Sequence, residues 1–172
     1  KNNSSIMWPR TCLWLFAILL CVIVGGESSE VPALTCPSGC RCFTTAEGLH
    51  KASCFSTSDL KKYSQNNNHH NINIMDLSYS NISKINNDLD KFTEVVSLDL
   101  SFNSIKVLEK VLQSSKKLVH LNLENNFLKT FSASSVPNSV SSLNLKHNYL
   151  ENVPSDLYIL RDLEHLELKG NP

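Results

Sequence analysis

A string of one shape returns along this chain about every 23 residues. It reads Leu98-Asp99-Leu100-Ser101-Phe102-Asn103-Ser104-Ile105, then Leu121-Asn122-Leu123-Glu124-Asn125-Asn126-Phe127-Leu128. It comes back as Leu143-Asn144-Leu145-Lys146-His147-Asn148-Tyr149-Leu150, and a last copy runs Leu166-Glu167-Leu168-Lys169-Gly170-Asn171. The asparagines are 23, 22 and 23 residues apart, and a weaker copy, Met75-Asp76-Leu77-Ser78-Tyr79-Ser80-Asn81-Ile82, lies one period upstream. A fixed period of this size marks stacked coils rather than one closed core. It moves the question of function from catalysis toward surface recognition.

The alternation of the two leucines has the period of a strand with one face buried. One coil cannot bury its apolar edge alone, but the next coil covers it, with parallel strands about 4.8 Å apart. Leu98, Leu100, Leu121, Leu123, Leu143 and Leu145 are expected to form a continuous ladder. After each strand the chain turns away and leaves backbone groups unpaired inside the stack. A primary amide both donates and accepts, so a column of Asn103, Asn126, Asn148 and Asn171 is expected to satisfy them. Ser80 takes this position in the first copy. Its shorter hydroxyl predicts a less regular coil.

Three residues before each first leucine stand Ile72, Val95, Leu118, Val140 and Leu163, so the unit is L-x-x-L-x-L-x-x-N-x-L with conservative swaps. Over residues 72–172 this pattern resembles the leucine-rich repeats of extracellular proteins. The resemblance implies an α/β-type solenoid: a horseshoe with one short parallel strand in each of five repeats.

Met7, Trp8, Pro9 and Arg10 precede an apolar run from Thr11 to Val24. The run has the length of a signal-peptide core and is short for a membrane span. Val24 and Gly26 place small residues for cleavage before Glu27, so residues 1–26 read as a signal peptide starting at Met7. Its removal takes Lys1, Arg10, Cys12 and Cys21, which leaves a net charge of about −2 and four cysteines. A slightly acidic chain without a basic stripe is a poor nucleic-acid ligand. An even cysteine count suits an oxidising compartment.

Residues 27–35 read as a short linker. Then come Cys36, Cys40, Cys42 and Cys54, spaced C-x3-C-x-C-x11-C just before the first repeat. A solenoid needs a cap on its first coil, and in a small cap crosslinks stand in for core volume. Two disulfides and no free thiol are expected, and four cysteines allow three pairings. The cluster is similar to the N-terminal cap of extracellular leucine-rich repeat proteins, and that resemblance implies Cys36–Cys42 and Cys40–Cys54. The cap is read as residues 36–71, ending in the polar loop Gln65 to Asn71, whose His69 and His70 read as solvated. Asn81-Ile82-Ser83 is the only N-x-S/T sequon after residue 26, so Asn81 is a candidate for glycosylation.

Positions flanking the leucines point to the concave face. Between the leucines run Asp76, Asp99, Asn122, Asn144 and Glu167; two residues past the second leucine run Tyr79, Phe102, Asn125, His147 and Gly170. Asp76, Tyr79, Asp99, Phe102, Asn122, Asn144, His147 and Glu167 are the candidate binding face, because exposed aromatics beside charges are typical interface anchors. His120 and His165 share a column two coils apart, about 10 Å at the strand spacing, too far to ligate one metal. No catalytic arrangement, metal site or cofactor motif is found; Asp88 and Asp90 read as solvated carboxylates in a return segment.

These observations point to a non-enzymatic extracellular module that binds a protein on its concave face, as part of a cell-surface receptor or adhesion protein. The alternative is a structural matrix protein of the small proteoglycan kind. The chain stops at Lys169-Gly170-Asn171-Pro172, which resembles the entry to a carboxy-terminal cysteine cap. It is therefore expected to be the amino-terminal part of a longer protein and to fray or self-associate at its last coil. Any membrane tether would lie downstream of Pro172.

Overall fold

The computed structural model of the chain describes residues 36–37, 39–56, 72–85, 89–110 and 112–172. Residues 1–35, read above as signal peptide and linker, residues 57–71 with His69 and His70, and Asp88 lie outside the described residues. Among those that are described, no helix is long and apolar enough to cross a membrane.

Among the described residues seven strands form one sheet in strict chain order: β1 (Cys40–Thr44), β2 (His50–Cys54), β3 (Ile72–Asp76), β4 (Ser97–Asp99), β5 (His120–Asn122), β6 (Ser142–Asn144) and β7 (His165–Glu167). β1 and β2 make an antiparallel hairpin, and every later pair is parallel. Leu98, Leu121, Leu143 and Leu166 are direct register partners from β4 to β7. The stack of coils is thus one repeat per strand, a parallel-strand solenoid with a hairpin on its first coil. Each of the short strands β4 to β7 is centred on the first leucine of its pair. The ladder nevertheless continues past it, because Leu77, Leu100, Leu123 and Leu145 each donate an N–H to the next coil at 2.8 Å.

The returns are less regular than the strands. Among the described residues they contain the 3-10 turns Ala133–Ser135 and Leu157–Ile159 and no α-helix. A period near 23 residues leaves little room for more once strand and turn are formed, and serines and prolines in Ser132-Ala133-Ser134-Ser135-Val136-Pro137 break what remains.

The core runs along the stack. Met75, Leu77, Leu98, Leu100, Leu121, Leu123, Leu143 and Leu145 are all buried, as are Ile82, Ile105, Leu128 and Leu150 one turn further on. Ile85, Leu89, Phe92, Leu108, Leu112, Val136 and Leu160 fill it from the return side. In the last coil Leu163, Leu166 and Leu168 are only partly buried.

The asparagine column sits inside this core as the amide chemistry requires. Each Nδ2 donates to the preceding coil's second leucine carbonyl: Asn103 to Leu77 at 2.8 Å, and Asn126 to Leu100, Asn148 to Leu123 and Asn171 to Leu145 at 2.9 Å. Each Oδ1 accepts the N–H of the residue that follows the turn one coil back, Ile82, Ile105, Leu128 or Leu150, at 2.9–3.1 Å. Ser80 departs from the expectation set by its length. Its buried hydroxyl does cross to the preceding coil, donating to the Cys54 carbonyl at 2.9 Å. The irregularity of this coil lies one residue later, where Asn81 adopts a left-handed φ of 52°.

Disulfides join Cys36 to Cys42 and Cys40 to Cys54, the pairing that the resemblance implies. The second ties β1 to the end of β2, which pairs with β3, so the crosslinked hairpin continues the sheet and covers its first coil.

Candidate functional site

The column between the leucines lies on the sheet face, and its side chains are already engaged. Asp76 Oδ1 accepts the Ser78 N–H at 3.1 Å and its hydroxyl at 2.7 Å; Asp99 does the same for Ser101 at 2.8 and 2.6 Å. Asn122 accepts the Glu124 N–H at 3.1 Å and Asn144 the Lys146 N–H at 3.0 Å. These are turns in which a short side chain caps the backbone two residues on. Four of the five residues of this column therefore hold the bend out of the strand. Glu167 is a methylene longer and pairs instead with Lys146 at 3.1 Å.

Other bonds run from coil to coil across the face. Asn122 donates to Asp99 at 3.2 Å, and Asn144 to Glu124 at 3.0 Å. Lys51 lies 3.4 Å from Asp76. Partial burial raises the Asp76 carboxyl, but the Ser78 hydroxyl and N–H and the Lys51 charge outweigh it and hold the group below its ordinary value.

The second column lies beyond the strands. Tyr79, Phe102, Asn125, His147 and Gly170 do not stand on the strands but in the turn that closes the sheet edge. All five have left-handed backbone, with φ between 51° and 80°. Their N–H groups hold them there: Tyr79 donates to the Ser101 carbonyl at 3.2 Å, Phe102 to Glu124 at 2.9 Å, Asn125 to Lys146 at 3.0 Å and His147 to Lys169 at 2.9 Å. Asn and Gly tolerate this conformation, but for a large side chain it costs roughly 1–2 kcal/mol. Gly170 also leaves room for the His147 ring, whose Nδ1 a Cβ at this position would overlap.

The strained turn carries its aromatic rings outward. Tyr79 is 70 % exposed and Phe102 42 % exposed, so neither covers the leucine ladder. They stack on each other instead, with centroids 4.4 Å apart and planes within 8°. That spacing is near the separation of adjacent coils, which brings equivalent side chains face to face.

A second stack was not among the expected site residues. Phe127 and Tyr149 follow the ladder asparagines, are 45 % and 49 % exposed, and stack at 5.7 Å. Their recurrence at one position, 22 residues apart, was the available signal. The two stacks border a groove of about 750 Å³. Asn103, Asn126, Asn148 and Asn171 line its floor, with Asn125, His147 and Gly170 along one wall. The ladder asparagines spend their amides on backbone, so aromatic rings and the side chains of Asn125 and His147 are what the groove offers a ligand.

Among the described residues no group of three or more His, Cys, Asp or Glu is placed to hold a metal ion. Ser142 stands between His120 and His165 in the sheet register, so the two histidines are separated by two strand spacings.

No protein-family model matches this chain, and no curated protein matches it. Among solved structures it is similar to an internalin, inlF, from Listeria monocytogenes strain 4b F2365, with a TM-score of 0.53 and 19 % sequence identity. The similarity covers 69 % of this chain and 33 % of the internalin, so the chain spans about a third of that protein's length. At this identity the likeness shows the fold alone. Together with the register and the disulfides, it defines the described residues as a leucine-rich repeat solenoid with a cysteine-crosslinked first coil.

Proposed function

We propose that this chain is an extracellular, non-enzymatic recognition module that binds a protein partner along the sheet face and its aromatic edge. The observation that carries this reading is the exposed Tyr79–Phe102 stack, held in left-handed backbone where both rings cost stability and neither fills the core. Strain of that kind persists where the surroundings enforce it and clusters at sites of binding. Phe127 and Tyr149 extend the same apolar edge beside a face of paired charges and amides, the usual make-up of an interface core and rim. The extracellular placement is supported by the two disulfides, which persist in oxidising compartments.

The test separates binding from packing at Phe102. Phe102→Asn substitutes the residue that Asn125 already places at the equivalent turn one coil on. The strain argument predicts a fold whose stability is unchanged or higher by up to about 1 kcal/mol. If Phe102 anchors an interface, capture of partners by proximity labelling on living cells should fall at least about tenfold, a loss of roughly 1–2 kcal/mol. A Lys110→Ala variant on the return side should capture as the parent does. A Phe102→Asn chain that unfolds more easily with capture intact would assign the ring to packing and overturn the proposal.

A further inference from the structure

We propose that Asn81 is an N-glycosylation site whose first sugar stacks on the ring of Tyr79. The inference rests on the extracellular reading above, and it adds a modification site and a platform for it. Asn81-Ile82-Ser83 has the acceptor pattern, an asparagine with a hydroxyl two residues on. Asn81 and Ser83 are both exposed, while Ile82 between them is 3 % exposed and its N–H is tied to Asn103 Oδ1 at 2.9 Å. The acceptor is thus presented outward from a fixed point rather than from a loose loop.

The turn at this point differs from its equivalents. In the later coils the left-handed conformation occurs once, at Phe102, Asn125, His147 or Gly170; here it occurs twice, at Tyr79 (φ 53°) and again at Asn81 (φ 52°). The second left-handed residue, the acceptor itself, lies two positions past Tyr79. One face of the Tyr79 ring lies on Phe102, and the ring is still 70 % exposed. A pyranose presents a patch of axial C–H groups that packs on an aromatic face. An aromatic residue two positions before an acceptor asparagine offers such a face to the first sugar.

In the transfer itself the Asn81 side-chain nitrogen attacks the anomeric carbon of an oligosaccharide carried on a lipid pyrophosphate. The carbon–oxygen bond to the pyrophosphate breaks, a carbon–nitrogen bond forms, the amide loses one proton, and the lipid pyrophosphate leaves with the electron pair. The donor is a component of the secretory compartment. The glycan would then cover the Tyr79 face opposite Phe102 and leave Phe102, Phe127 and Tyr149 for a partner.

The test expresses the full chain in a eukaryotic secretory cell, once with its own amino terminus and once with a heterologous signal sequence placed before it. Release of N-glycans in heavy-oxygen water should increase mobility and convert Asn81 to a labelled aspartate, and Ser83→Ala should abolish both effects. The thermal midpoint should fall on glycan release for the parent chain, and fall by less for Tyr79→Ala. Disulfide-bonded chain recovered from the medium with an unmarked Asn81 overturns the site. An equal midpoint shift in parent and Tyr79→Ala chains overturns the stacking. Modification only behind the heterologous signal supports the site while removing the extracellular reading, so the two fail separately.

Discussion

Asn126 donates to the carbonyls of Leu100 and Leu123 at 2.9 and 3.1 Å and accepts the Ile105 N–H at 3.0 Å, all in the core. Three backbone groups on two coils therefore bond one amide, and while Leu100 and Leu123 also accept from Asn103 and Asn148 at 3.0 and 2.9 Å, the Ile105 N–H depends on Asn126. Asn126→Ala leaves the Ile105 N–H buried without a partner and takes one of two amide donors from each carbonyl, and an orphaned buried group costs about 1–3 kcal/mol. We expect a denaturant midpoint lower by at least the equivalent of one such group; a loss below about 0.5 kcal/mol would mean that water enters and replaces the amide. This role was legible in the sequence because it follows from amide chemistry repeated at one position. The Ser80 hydroxyl was misjudged because its reach depends on how close Cys54 comes, and a linear sequence does not give that distance.

At the scale of the strand and its turn, the sequence was read half correctly. The alternating leucines located each strand, and the register follows them. The left-handed turn was missed because Tyr79 and Phe102 are poor residues for it. The signal was present in the same column, where Asn125 and Gly170 are good ones. The capping by Asp76, Asp99, Asn122 and Asn144 was legible in principle, since short polar side chains bond the backbone two residues on. At Asp76 the capping makes the turn sensitive to acid. Burial raises Asp76, but the Ser78 hydroxyl and N–H and Lys51 outweigh it, so its native pKa lies below the unfolded value. Asp156 is lowered in the same sense: desolvation raises it, and the Ser132 hydroxyl and nearby backbone N–H groups more than offset that. A depressed carboxylate stabilises the fold above the unfolded pKa, near 4, and that contribution is lost as pH falls through the native value. The thermal midpoint should thus be flat near neutrality and drop below about pH 4. Asp76→Asn should shrink the drop, because an amide still accepts the Ser78 N–H without titrating. An unchanged acid limb in this variant would place the acid-sensitive groups elsewhere.

Across the whole molecule each strand pairs only with its neighbours in the chain, so stability is a sum of coil and interface terms rather than one cooperative block. The period made this architecture legible; the returns, which have no period, gave no such guide. The terms are unequal along the stack. At the first coil two crosslinks substitute for apolar volume, and loss of native disulfides in a small unit costs about 2–5 kcal/mol. In the middle, Leu121, Leu123, Leu143 and Leu145 are at most 2 % exposed. In the last coil, Leu163, Leu166 and Leu168 are only partly buried. Local opening follows apolar burial and backbone bonding, so amide exchange should map these differences directly. In the oxidised chain we expect slow exchange from β4 to β6 and faster exchange across β7. After reduction, protection should disappear first from β1 to β3, which the crosslinked hairpin covers, while β5 and β6 keep theirs. Simultaneous loss of protection from β1 to β7 on reduction would show that the coils unfold as one unit. The nearest-neighbour account of this solenoid would then be wrong, and the crosslinked first coil would hold the whole stack rather than only its own end.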